Sequence, residues 1–281
     1  MARRSARSPV VEPQWLLEHL DDPRVRVVEV DVDPALYHQG HLPGAVLWEL
    51  HRDLEDPVRR DLPTPERLAE LLGRSGVGPD TTVVLYGDGN NRSATWGFWV
   101  LAYYRHRNAR LLNGGRVRWQ AMGLPLTTET PRLEPRFYPV PRPDRRVRAR
   151  HTDILRRLGS ADLRLVDVRT AAEYRGEDDP DHPQTGIARL GRIPGAVHQP
   201  WDEAAGPDGT FRPVEELRRL YQGRGVLPEQ EVVTYCRLGV RASYTWFVLR
   251  HLLGYPRVRN YDGSWTEWGN LVGVPIAKGE E

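Results

Sequence analysis

The sequence predicts an α/β protein of two tandem domains, each a mostly parallel sheet flanked by helices. Three observations carry this. The chain has 281 residues, about two domains at the usual domain length. It repeats itself at a distance of about 150 residues, one domain length. Within each repeat, short apolar runs alternate with helical patterns, which is the mark of a βα alternation around parallel strands.

The repeat rests on four anchors in the same order. Val27-Val28-Glu29-Val30 answers to Leu165-Val166-Asp167-Val168, and Leu42-Pro43-Gly44-Ala45-Val46 to Ile193-Pro194-Gly195-Ala196-Val197. Val83-Val84-Leu85-Tyr86 answers to Val232-Val233-Thr234-Tyr235. Asn113-Gly114-Gly115 with Gly123-Leu124-Pro125-Leu126 parallels Tyr261-Asp262-Gly263 with Gly273-Val274-Pro275-Ile276. These place a first domain at 10–130 and a second at 148–277. The Pro/Arg-rich segment 131–147 between them, with prolines at 131, 135, 139, 141 and 143, predicts a stiff extended linker.

The clearest helix start is Thr64-Pro65-Glu66, a capping threonine followed by proline at the first helical position, with a stop expected at Gly73. Pro213 to Leu220 is its counterpart. Ala242 to Leu253, rich in Trp246, Phe247, Val248 and Leu249, predicts a helix whose apolar stripe is core packing.

Composition narrows the function classes. Forty basic and 38 acidic residues give a formal charge of +2, so no global field recruits nucleic acid. One cysteine excludes an internal disulfide framework and any thiolate zinc site, and no cofactor is called for. The basic start Met1 to Pro9 has no apolar signal core after it, and no segment is long enough to span a bilayer. A soluble, cytoplasmic protein is expected, compatible with a monomer, with a reduced thiol.

That thiol is the main chemical signal. Cys236 follows the β-branched run Val232-Val233-Thr234-Tyr235 and precedes Arg237-Leu238-Gly239-Val240-Arg241-Ala242, a short turn leading into a helix. Residues after such a cysteine can curl so that successive N–H groups face the sulfur, with the positive end of the helix dipole and two guanidinium groups close by. Those surroundings stabilise a thiolate, the reactive form; a cysteine that merely fills a strand has none of them. The first repeat has Tyr86-Gly87-Asp88 where the second has Tyr235-Cys236-Arg237, so only the second half can be nucleophilic.

Cys236 to Ala242 resembles the active-site loop of the rhodaneses, the thiosulfate sulfurtransferases, and Tyr261-Asp262-Gly263-Ser264-Trp265 with Trp268 resembles their closing motif. The resemblance spans nearly the whole chain and implies two rhodanese-like domains, the first lacking the cysteine and supporting the second. It also implies transfer of sulfane sulfur from a small anionic donor to a thiophilic acceptor such as cyanide or a thiol, through a Cys236 persulfide and without a cofactor. Arg237, Leu238, Gly239, Val240, Arg241 and Ala242 are then the donor cradle. In the family a loop corresponding to 175–190 supplies cationic donor contacts, which makes Arg175, Arg189 and Arg192 candidates; Arg192 stands where the family usually has histidine, as His41 does in the first half. Asp167, Arg169 and Glu173 resemble the fold's loop-bracing ion pair. Leu238 replaces a basic residue and Arg241 a threonine found in many animal rhodaneses.

Three other readings stay in view. Cysteine phosphatases and arsenate reductases place five residues between cysteine and arginine, whereas four separate Cys236 from Arg241 here; the shorter loop suits a sulfur atom better than a tetrahedral oxyanion. A 3-mercaptopyruvate sulfurtransferase tends to carry glycine and a small hydroxyl residue after the cysteine, where this chain has Arg237 and Leu238. A non-enzymatic sulfur carrier would differ only in turnover. The nine histidines lack ligand spacing, Gly87 to Asn91 lacks the lysine of a phosphate loop, and Trp119, Trp265 and Trp268 read as packing anchors.

Overall fold

The computed structural model describes residues 8–177 and 186–280. The chain divides into two compact units, Met1–Asp144 with Pro207–Phe211, and Arg145–Gly206 with Arg212–Glu281. Each is built on a parallel sheet flanked by helices, as the sequence predicts.

The first unit holds β1 (Val10–Val11), β2 (Val25–Asp31), β3 (Val46–Glu49), β4 (Thr82–Tyr86) and β5 (Ala109–Leu112), in the order β1-β5-β4-β2-β3 with parallel pairings throughout. Every residue of β4 and β5 is buried, which is why these strands read as unbroken apolar runs: helices cover both faces of a parallel sheet. The second unit holds β6 (Leu163–Asp167), β7 (Val197–His198), β8 (Glu231–Tyr235) and β9 (Val258–Asn260), in the order β7-β6-β8-β9, again parallel. The order turns outward on either side of β6 and β8. In open α/β sheets a ligand crevice forms beyond the strand ends at such a point, and Cys236 follows the last residue of β8.

The duplication extends to individual hydrogen bonds. Tyr86 Oη accepts the Leu42 N–H at 3.0 Å, and Tyr235 Oη accepts that of Ile193 at 3.1 Å. Tyr37 donates to the Ala45 carbonyl and Tyr174 to that of Ala196, at 2.9 and 2.8 Å. Trp119 donates to Pro125 and Trp268 to Pro275, at 2.8 and 3.0 Å. Trp119, Trp265 and Trp268 are all fully buried, as packing anchors should be.

Two local expectations change. The Pro65–Arg74 helix begins as predicted, with Thr64 Oγ1 accepting the Arg67 N–H, but it runs past Gly73. The turn is made instead by Gly76, at φ +68°. Gly73 is a glycine for another reason: the carbonyl oxygen of Arg136 lies 2.7 Å from where its Cβ would be. The linker segment is accordingly strapped to the first unit up to Asp144. Arg136 N–H donates to the Gly73 carbonyl at 2.9 Å, Tyr138 Oη meets His106 Nδ1 at 3.0 Å, and Asp144 N–H donates to the Tyr103 carbonyl at 2.6 Å. The predicted Ala242–Leu253 helix is present, starting at Val240 and loosening into a π-helical turn over Val248–Leu252.

Gly87, the counterpart of Cys236, is extended at φ 178°, a conformation open to any residue. Its restriction is spatial, because a Cβ there would collide with the Val30 carbonyl oxygen. Beyond it Gly89, Asn90 and Asn91 form one left-handed turn, and Asn91 Oδ1 accepts the Gly87 N–H at 3.2 Å. The first repeat has therefore lost both the sulfur and the space for it. Gly87→Cys should not restore a second nucleophile: overpacking against backbone costs about 1–3 kcal/mol, so a thermal melt should show lowered stability, and sulfur loading should stay confined to Cys236. A Gly87→Cys protein of unchanged melting temperature would contradict the steric account.

Candidate functional site

Cys236 is 1% exposed and sits on the first residue beyond β8. The chain then turns sharply through Arg237 and Leu238, both half-buried, to Gly239 at φ +88° and ψ −19°, which caps the Val240–Phe247 helix. This left-handed residue turns its N–H back onto the Cys236 Sγ, 3.1 Å away. Only glycine serves here on two counts. The conformation is costly for other residues, and a Cβ would lie 2.6 Å from the Asp262 Cα.

The loop is held from below by the closing motif. Ser264 Oγ accepts the Cys236 N–H at 3.0 Å while donating to the Tyr261 carbonyl at 2.7 Å. Ser264 is fully buried and itself left-handed, at φ +50°, a strained state that persists only where the surroundings enforce it. Trp265 N–H donates to the Cys236 carbonyl at 3.0 Å, and Thr266 donates to the Arg237 carbonyl through both N–H, at 3.0 Å, and Oγ1, at 2.8 Å. Asn260 Nδ2 holds the Gly239 carbonyl at 3.2 Å. Asp262 anchors the motif by a buried two-pronged pair with Arg148, at 2.7 and 2.6 Å; burial still pushes its carboxyl above the ordinary aspartate range.

Beside the loop, Arg169 pairs with both Asp167 oxygens, donates to the Gly191 carbonyl at 2.7 Å, and lies over the Trp265 ring at 4.6 Å. This is the bracing predicted for Asp167 and Arg169. Glu173, grouped with them from sequence, has a different partner. Its two oxygens accept from the two terminal nitrogens of Arg241, each at 2.7 Å, and it closes a capping box with Thr170 at the start of the Ala171–Arg175 helix. Burial drives the Glu173 carboxyl up, but the Arg241 hydrogen bonds and charge outweigh it and bring it to about 2. Burial likewise opposes the Arg241 charge, and the bonds to Glu173 with the nearby Cys236 hold it above the ordinary arginine value.

The inserted-loop arginines have partners within the second unit. Arg189 directs its guanidinium at the carbonyls of Gly269, Val274, Trp268 and Leu271, closing the end of the Ser264–Trp268 helix. Arg192 is 2% exposed, lies over the Tyr174 ring at 4.4 Å, and donates to the Gly279 carbonyl at 2.6 Å. It does the work that His41, stacked 3.8 Å over Tyr37, does in the first unit. Arg175 pairs with Glu177 at 2.5 Å. All three side chains are thus engaged within the second unit. Positions 178–185 of the insertion lie outside the described residues. Val240 and Ala242 form the first turn of the helix after the loop, with Ala242 fully buried. Sequence reasoning placed Ser264 in the closing motif but missed its bond to the Cys236 N–H, and it missed Arg241 as the partner of Glu173. The spacing Thr170-x-x-Glu173 is a capping box and would have placed that carboxylate at a helix start.

Among the described residues no group of three or more His, Cys, Asp or Glu could hold a metal ion, and no helix is long and apolar enough to cross a membrane. The arrangement is a buried sulfur at a strand end with an amide aimed at it, able to take up negative charge on that sulfur.

Comparison with known proteins agrees with this geometry. The rhodanese-like domain matches residues 12–122 and again 151–271. The chain is 53% identical to the sulfur carrier protein TtuD of Thermus thermophilus, over 97% of each chain. It is 48% identical to a putative thiosulfate sulfurtransferase SseA of Mycobacterium tuberculosis, covering 97% of this chain and 91% of that one. Among solved structures, EanB in complex with hercynine superposes with a TM-score of 0.86 at 28% identity, over 100% of this chain and 72% of the other.

The Glu173 carboxyl also sets a pH dependence. Its value in the folded protein lies below its unfolded value, so its stabilising contribution is full above about pH 4.5 and is lost as pH falls toward about 2. Acid titration of stability should therefore show a steeper loss across that window for the native chain than for Glu173→Gln. Equal slopes would show that the pair contributes nothing to folding.

Proposed function

The chain belongs to the rhodanese-like family of sulfurtransferases, and on that premise we propose that it moves the sulfane sulfur of thiosulfate to a thiophilic acceptor such as cyanide or a thiol through a persulfide on Cys236. The observation that supports this best is the Gly239 N–H aimed at the Cys236 sulfur from 3.1 Å, at the start of a helix. A donor so placed stabilises charge on a thiolate and on the persulfide that follows it.

The chemistry is a double displacement. The Cys236 thiolate attacks the outer sulfur of thiosulfate; a new S–S bond forms, the S–S bond of the donor breaks, and sulfite leaves with the electron pair. The acceptor then attacks the outer sulfur of the persulfide and the Cys236 thiolate departs. No metal or organic cofactor enters either step. Arg237, on the turn itself, is the cationic side chain we assign to the anionic donor. Solved neighbours point the same way, since one EanB structure is described with a cysteine persulfide and ergothioneine. The relative named a sulfur carrier supports a second reading, in which the persulfide is handed to a partner with little turnover on small acceptors.

Intact-mass measurement after thiosulfate treatment should show one added sulfur on the native chain and none on Cys236→Ala, with the fold unchanged. Turnover by Cys236→Ala would end the assignment. If Arg237 holds the dianion, Arg237→Gly should lower kcat/KM for thiosulfate by about one to two decades, the worth of a charge-assisted contact. The loss with 3-mercaptopyruvate, which carries a single carboxylate, should be smaller. Equal losses on the two donors would show that Arg237 shapes the loop without choosing the substrate.

A further inference from the structure

Arg241 is the second residue of the Val240–Phe247 helix and stands two positions beyond Gly239, whose N–H meets the sulfur. Its two terminal nitrogens each lie 2.7 Å from a Glu173 oxygen. The same carboxylate accepts the Thr170 N–H through Oε2 at 3.0 Å, while Glu173 N–H donates to Thr170 Oγ1 at 3.2 Å. Glu173 thus belongs to two elements at once. It closes the first turn of the helix that follows β6 and grips the first turn of the helix that follows β8.

The pair is well out of solvent, with side chains 4% and 15% exposed, and the Arg241 charge is close enough to Cys236 for the two to interact. A guanidinium whose two terminal nitrogens hold one carboxylate has its end-on fork taken, so Glu173 fixes where the remaining N–H bonds of Arg241 can point. The guanidinium can thereby fix the start of its own helix, and with it the Gly239 amide, and keep a cation at a constant place beside the sulfur. Arg241 of the cradle therefore has a task besides the donor contact expected of it.

We propose that Glu173 is a positioning residue for Cys236 that acts through Arg241, the ion pair between them setting the geometry in which the sulfur reacts. The inference deepens the persulfide reading and rests on Cys236 as the reacting group.

Three variants test it. Glu173→Gln keeps a side chain that can serve the capping box but removes the charge. Arg241→Lys keeps the charge but loses the fork. The double variant Glu173→Gln/Arg241→Met removes both buried charges. The measurements are kcat and KM for thiosulfate with cyanide, the rate of Cys236 alkylation by iodoacetamide without any donor, and the melting temperature. Each single variant should lower kcat at least fivefold, slow alkylation by a similar factor, and leave the KM for thiosulfate within threefold. The double variant should regain melting temperature relative to the single ones, because no unpaired charge remains buried, while its kcat and alkylation rate stay low.

Any of three results would overturn the proposal. Arg241→Lys at the native rates would mean that charge alone suffices. A raised KM with unchanged kcat would make Arg241 a donor ligand. Recovery of activity together with stability in the double variant would make the pair purely structural. Alkylation needs no sulfur donor, so it decides the role of Glu173 even if the native chain proves inert toward thiosulfate, an outcome that would count only against the proposed substrate.

Discussion

The second unit depends on one backbone event, the left-handed turn at Gly239. Without it the chain beyond β8 would run on, and the first N–H groups of the following helix would point away from the sulfur. With it the Gly239 amide comes to 3.1 Å from Sγ. The turn is locked because the space a side chain would need is taken by Asp262, so loop and closing motif fit only with glycine at that position. Ser264 answers from the other side, held at φ +50° with its hydroxyl under the Cys236 N–H. Strain of this kind costs about 1–3 kcal/mol per residue and survives only where neighbours over-determine it. Here the neighbours are the buried pair of Arg148 with Asp262, the Thr266 contacts to Arg237, and the fully buried Trp265 and Trp268.

Much of this was legible in the sequence because it is periodic or punctuated. Parallel strands covered on both faces appear as apolar runs, so β2, β4, β6 and β8 could be placed directly. The duplication could be read because its anchors are strand ends and glycine turns, which tolerate few substitutions. Cys236 stood out because a β-branched run, a glycine turn and a helical pattern meet there. What could not be read were the partners of charged side chains. Arg189 and Arg192 direct their guanidinium groups to carbonyls 79–87 positions away, while Arg175 pairs with Glu177 two positions on. A linear pattern carries no trace of such long-range choices. Glu173 shows the intermediate case: its local partner, Thr170, was readable from spacing, and its distant one, Arg241, was not.

The two units also show how one fold separates architecture from chemistry. The tyrosine and tryptophan hydrogen bonds recur in both, and they tie the same strand ends to the same turns. The differences gather at one loop. In the first unit Asn91 Oδ1 accepts the Gly87 N–H while its Nδ2 donates to the Leu112 carbonyl, and the Val30 carbonyl oxygen lies where a Cβ on Gly87 would be. In the second, Ser264 Oγ accepts the Cys236 N–H and the Gly239 amide is directed at the sulfur. The scaffold is thus kept in both units while the chemistry is confined to one loop.

The central claim is that Cys236 takes sulfur before any acceptor arrives, and the sulfite released on mixing the native chain with excess thiosulfate alone tests it most directly. The account predicts a burst of about one sulfite per chain, then no more until cyanide or a thiol is added, as covalent catalysis in two half-reactions requires. Absence of sulfite until donor and acceptor are present together would contradict a persulfide intermediate and with it the role assigned to Cys236.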